Sequence, residues 1–125
     1  MKRNWDIIRE ILVKLEDFSP SPEKSCLELS DFKSEDPLTI SYHVELMLES
    51  GLINGEMHGE MVIVDGFFIE RMTWEGHEFL DSIRSDSVWS KVKAEFSQNK
   101  VPMTFDLVKS VSTGITTSLF KSIIS

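Results

Sequence analysis

The stretch from Leu38 to Glu78, LTISYHVELMLESGLINGEMHGEMVIVDGFFIERMTWEGHE, constrains the fold more than any other part of the chain. Leu38, Ile40, Val44, Met47 and Leu48 make an apolar stripe at helical spacing, behind a proline at position 37 that suits a first helical turn. Gly51 fits the left-handed residue that ends such a helix. Leu52 and Ile53 then begin a strand, and Asn54-Gly55 and Asp65-Gly66 are both turn dipeptides. Met61–Val64 and Phe67–Met72 therefore read as two strands joined at Asp65-Gly66. A second register pairs Leu52–Met57 with Phe68–Met72 and leaves the middle as a wing tip. Thr73 is a good cap for the helix that follows. Helix, glycine stop, strand pair and helix is the order of a winged helix-turn-helix, an α+β fold.

The flanks extend this frame. Trp5, Ile8, Ile11, Leu12, Leu15 and Phe18 predict a helix over 3–18, ended by the prolines of Ser19-Pro20-Ser21-Pro22. Residues 26–29 alternate as an edge strand would, and Ser30 to Asp36 suggests a short helix capped by Ser30. After Thr73, a helix to about Ser85 would turn Trp74, His77, Leu80 and Ile83 inward. Asp86 can cap another helix carrying Trp89, Val92 and Phe96, which Lys100-Val101-Pro102 breaks. Thr104 can cap a last helix with Val108, Val111, Ile115, Leu119 and Ile123 along one side. Gly114 and the surrounding Thr and Ser make that helix intrinsically poor, so it should depend on docking. At 125 residues this is one domain, a winged-helix core over 1–72 with appended helices over 73–125.

Charge bears on what such a fold could bind. Residues 23–60 hold nine acids against Lys24 and Lys33, whereas residues 88–125 hold five lysines against Glu95 and Asp106. Clustered Lys and Arg supply most of the affinity for phosphate backbones. The helix that would enter a DNA groove carries Glu45 and Glu49 and no Lys or Arg. No run of apolar residues suggests a signal peptide or membrane helix, and Cys26 is the single cysteine, so a cytoplasmic setting is expected.

Three segments together carry a family resemblance: MKRNWDIIREIL, ISYHVELMLESGLI and MTWEGHEFLDSIRSDSVWSKVK. They resemble small bacterial and phage or prophage proteins known as domain of unknown function 2513, from Met1 to about Lys93. The most specific part is TWEGHEFLD followed by VWSKVK. The resemblance implies a winged-helix-like fold in a bacterial or mobile-element context and brings no catalytic residues with it.

The candidate chemistry is sparse. His43, His58 and His77 lack the paired spacing of zinc ligands, and no phosphate, dinucleotide or nucleophile-elbow motif occurs, so neither metal, cofactor nor enzymatic activity is expected. His77 beside Glu75 and Glu78 could form an acid/base pair, but a helix anchored by Trp74 is the simpler reading. The expected function is protein binding, with Glu45, Glu49, Glu56 and Glu60 facing a basic partner. The alternative is a dimeric transcriptional regulator reading bases through Thr39, Ser41, Tyr42 and His43. One of Phe67 and Phe68 should point away from the core, and the last helix is a candidate homodimer element.

Overall fold

A computed structural model describes residues 2–33, 36–60 and 63–124, the side chains of 59, 60 and 63–65 excepted. The elements are α1 (Trp5–Asp17), β1 (Leu27–Glu28), a 3-10 turn (Leu29–Asp31), α2 (Pro37–Ser50), β2 (Ile53–Glu60), β3 (Ile63–Met72), α3 (Trp74–Ile83), α4 (Asp86–Asn99) and α5 (Phe105–Ile124). The fold is α+β. The chain forms two compact units, 1–77 and 78–125. Among the described residues no helix is long and apolar enough to cross a membrane.

In the first unit α1 and α2 pack on each other and on a three-stranded antiparallel sheet of order β1-β3-β2. The side chain of Asn4 caps α1 by accepting the N–H groups of Asp6 and Ile7. The helix buries Trp5, Ile7, Ile8, Ile11, Leu12 and Leu15. Each such side chain contributes roughly 2 kcal/mol of transfer free energy. Asp36 caps α2, its carboxylate accepting both the N–H and the hydroxyl of Thr39 at 3.0 Å, and Gly51 closes the helix at φ 79°. The short helix expected after Ser30 is a 3-10 turn that begins at Leu29, with Glu28 and Asp31 forming its capping box.

Both turn dipeptides correct the sequence reading. β2 ends at Glu60 and β3 starts at Ile63, so Asp65-Gly66 lies within β3 and Asn54-Gly55 within β2. The wing register with a long hairpin is the one formed, and Met61 lies outside the described residues. Each dipeptide instead marks a register shift, one between Asn54 and Gly55 and the other between His58 and Gly59, opposite Gly66. Gly66 takes φ 141°, which other residues resist. A Cβ on Gly55 would overlap the Phe68 carbonyl oxygen. Glycine was needed for a bulge in both places, and a turn and a bulge demand the same residue.

In the second unit α4 is capped by Ser85, one residue before the expected Asp86, and ends at Lys100, whose φ of 55° is left-handed. α4 and α5 form a helical hairpin that buries Val88, Trp89, Val92 and Phe96 from α4 but only Val108 and Ser112 from α5. Phe105 stacks on Phe79 with centroids 4.8 Å apart.

Candidate interaction surfaces

The face α2 turns inward differs from the one its sequence suggested. Ile40, His43, Val44 and Met47 lie at helical spacing on the buried side with Ser41, while Leu38 is 63% exposed. Residues two apart sit about 200° around a helix, so Leu38 and Ile40 cannot share a face. His43 is a core residue. Its Nε2 accepts the N–H of Asn4 at 2.7 Å, and its Nδ1 lies 2.8 Å from the Thr39 carbonyl oxygen. A backbone amide can only donate, so the proton must sit on Nδ1, and the ring ties the N-terminus of α1 to α2 as a neutral tautomer.

The four residues expected to read bases are therefore scattered in role. Ser41 and His43 are buried, Thr39 is engaged with its cap, and half-buried Tyr42 meets the His43 ring edge-on. Only Tyr42 keeps a free edge. The outward positions of α2 hold Leu38, Glu45 and Glu49. Glu45 and Glu49, four residues apart, share one helix face, where two like charges repel each other unless something neutralises them.

Glu56 lies elsewhere, on the outer face of the sheet. There the cross-strand row runs Glu28, Phe68, Glu56, since Phe68 is the register partner of both acids. Phe67 is buried and Phe68 points outward, its ring 4.2 Å from that of His58. These residues border a shallow cavity of about 470 Å³ shared with Leu29, Ser30 and Gly66, and His58 Nε2 is buried there without a hydrogen-bond partner among the described residues. The side chain of Glu60 is outside the described set. Nearby, Asp31 accepts the Glu28 N–H at 2.8 Å and pairs with Lys24 at 3.0 Å. Burial works to raise the Asp31 carboxyl, but these two partners overcome it and hold it below the usual carboxylate value, while the Asp31 hydrogen bond raises the ammonium of Lys24.

The largest departure is Trp74. It is not an inward anchor: it is 79% exposed, and His77 also faces solvent. α3 buries Gly76, Phe79, Leu80 and Ile83, a spacing of three, four and seven from the glycine. Gly76 allows this because a Cβ there would overlap the Leu52 carbonyl oxygen and the Met72 side chain. Thr73 fixes the approach: its hydroxyl donates to the Gly51 carbonyl, its oxygen accepts the Gly76 N–H, and its own N–H reaches the Leu52 carbonyl. Thus Thr73 and Gly76 of the TWEGHE segment are joints, and its Trp is free to touch something else. Glu75, His77 and Glu78 are all exposed, so no shielded acid/base pair forms. Among the described residues no three His, Cys, Asp or Glu side chains converge on a metal position.

The comparisons place the chain in a family without assigning it a chemistry. A family model described as "Hypothetical protein (DUF2513)" matches residues 2–102. An uncharacterized protein of Haemophilus influenzae is 38% identical over 112 residues, covering 90% of this chain and 92% of that protein. No solved structure matches. The chain belongs to the domain of unknown function 2513 family, and its Thr73 and Gly76 joints lie inside the matched residues.

Proposed function

We propose that this protein is a non-enzymatic winged-helix interaction module that docks a basic protein surface. The observation that carries the proposal is the orientation of α2. The helix that would enter a DNA groove turns Ser41 and His43 into the core and presents Leu38, Glu45 and Glu49 to solvent. Half or more of protein–DNA hydrogen bonds go to the backbone, and α2 has no cation to make them. An acidic rim beside an exposed apolar anchor is instead the composition of a surface that steers and then grips a cationic partner. The outer sheet row of Glu28, Phe68 and Glu56 repeats the motif of an apolar centre between acids. A nucleic-acid-binding protein offers the matching basic groove, and the phage or prophage context implied by the family resemblance would supply such targets.

The test has two arms. Titration into a random duplex of about 30 base pairs at low salt should give no binding at tens of micromolar, since DNA binders show nonspecific, salt-sensitive affinity there. Steeply salt-dependent binding would favour a DNA-binding regulator. In parallel, a bacterial lysate passed over the immobilised protein should yield a basic partner that Glu45→Lys with Glu49→Lys no longer retains. Retention unchanged by that charge reversal would count against the acidic surface.

A further inference from the structure

On the outer face of the sheet, the row next to Glu28, Phe68 and Glu56 is defined by a missing side chain. His58 is the register partner of Gly66, and the ladder from Glu56 to His58 is regular. His58 therefore stands on the same face as Glu56 and Phe68. Gly66 places nothing there. Beyond its chain neighbours, a Cβ on Gly66 would meet only the Cβ of Leu29, at 3.7 Å, among the described residues. The first strand ends beside this gap: β1 stops at Glu28, and the 3-10 turn carries Leu29 and Ser30 along its edge. The cavity of about 470 Å³ is the result, bounded by His58 from β2, Phe68 from β3 and the segment from Glu28 to Ser30.

The chemistry of the lining selects the guest. Phe68 is 38% exposed and offers an aromatic ring. Glu28 lines the cavity, and Glu56 stands across Phe68 from it. The lining includes no Lys or Arg among the described residues, and the wing segment 59–65, GEMVIVD, adds Glu60 and Asp65 and no cation. Lys24, which approaches Glu28, is held by Asp31 at 3.0 Å. An anion would meet acids here, whereas a cation finds complementary charge and a ring to lie on. His58 narrows the choice. Its buried Nε2 has no hydrogen-bond partner among the described residues, a cost that a donor from a ligand would remove. In a neutral imidazole the unprotonated nitrogen accepts. A guest that combines positive charge, a flat face and several donors in one plane is a guanidinium; an ammonium has the charge without the face.

We infer that this cavity receives an arginine side chain of a protein partner, its guanidinium lying on the Phe68 ring and donating to the Glu28 carboxylate. A tilt of the His58 ring toward the cavity it lines brings Nε2 to a further guanidinium N–H. Glu28 already accepts the Asp31 N–H in the capping box, and a carboxylate keeps acceptor sites to spare. Gly66 is the residue that makes the room: any side chain there would occupy the place of the guest, and its φ of 141° already disfavours one. This role rests on the docking of a basic protein proposed above, to which it adds a specific grip on one residue type. Its residues are separate from the Glu45 and Glu49 face of α2, so the two sites can fail independently.

An NMR titration of the full chain with the blocked tripeptide acetyl-Gly-Arg-Gly-amide tests it. The amides of His58, Gly66 and Phe68 should shift together, with a dissociation constant on the order of 1 mM, as one side chain allows. The matching lysine peptide should bind about fivefold more weakly, and the citrulline peptide, flat but uncharged, about tenfold. Phe68→Leu should weaken the arginine peptide about fivefold and Glu28→Gln about tenfold. Glu45→Lys with Glu49→Lys should leave the titration unchanged within about twofold in ~0.15 M salt. A lysate partner lost on that charge reversal, with no arginine peptide bound, sinks the pocket and spares the α2 surface; the opposite pair of results does the reverse. Shifts that are absent, that scatter over the surface, or that the lysine or citrulline peptide causes as readily overturn the inference. So does an arginine titration indifferent to Phe68→Leu in a variant with an otherwise native spectrum.

Discussion

α2 and α5 are both helices, and they are stabilised in opposite ways. α2 buries Ile40, Ser41, His43, Val44 and Met47 out of 14 residues, has a side-chain cap at one end and a left-handed glycine at the other. α5 is longer at 20 residues, carries Gly114 and five Ser or Thr between 112 and 118, and buries only Val108 and Ser112. α2 is held by its own fold, whatever its local preferences. α5 has neither strong propensity nor a full partner within the chain. Most helical stability in proteins comes from packing an apolar face, so the two helices should differ sharply in how much they lose when a side chain is trimmed.

The contrast breaks first, if it breaks, on core truncation. Ile40→Ala should lower unfolding stability by about 3 kcal/mol, whereas Phe120→Ala should cost less than about 0.5 kcal/mol in the same denaturant titration. Equal losses would mean that α5 is as deeply packed as α2. Next in size is His43→Leu, which leaves the Asn4 N–H and the Thr39 side of the ring unserved and should cost about 2 kcal/mol. Nitrogen NMR of the wild-type ring should show the proton on Nδ1; a proton on Nε2 would contradict the contact with Asn4. Thr73→Ala removes a cap and the tie to Gly51 together and should cost about 1–2 kcal/mol, with Thr73→Ser recovering most of it.

The smallest effect concerns acid. The carboxyl of Asp31 is held below its unfolded value, so its contribution to stability is present above about pH 4 and is lost as pH falls through the lower folded value. For so accessible a pair solvent screens the gain, and the effect is small. Asp31→Asn should remove that share of the acid sensitivity without shifting the midpoint of α5 exchange. Amide exchange then sharpens the comparison residue by residue: α2 should open only with global unfolding, and residues 116–124 well before it.

What could be read from the sequence depended on whether one residue type has one meaning. The α1 stripe, the Asp36-Pro37 start, the Gly51 stop and the Thr73 cap each have a single structural use, and each sits where its chemistry placed it. The glycines of Asn54-Gly55 and Asp65-Gly66 have two uses, turn and bulge, and the local sequence does not choose between them. Trp74 misled through its size: bulk suggested an anchor, although Gly76, Phe79, Leu80 and Ile83 already define a complete buried face on which Trp74 has no place. His43 was expected to read bases, and its place in the core goes with the Asn4 contact, 39 residues away in sequence. Among the candidate site residues, the acids of α2 and Glu56 were chosen from charge, and all three are exposed. The exposure of Leu38 and Trp74, and the choice of Phe68 over Phe67 as the outward ring, needed the faces to be fixed.

The bulge in β3 also has a consequence for how this chain can vary. Before it, the odd-numbered Phe67 and Ile69 point inward; after it, the even-numbered Met72 does, with Glu70 and Arg71 both outside. The strand therefore has something like a reading frame. Removing one residue between Ile69 and Met72 would erase this bulge and leave a regular ladder with Met72 still opposite Ile53, whereas adding one there would put Met72 out of phase. Relatives should accept many exchanges of side chain in this segment, and loss of one residue more readily than gain of one. A one-residue gap there would mark a hairpin without its bulge.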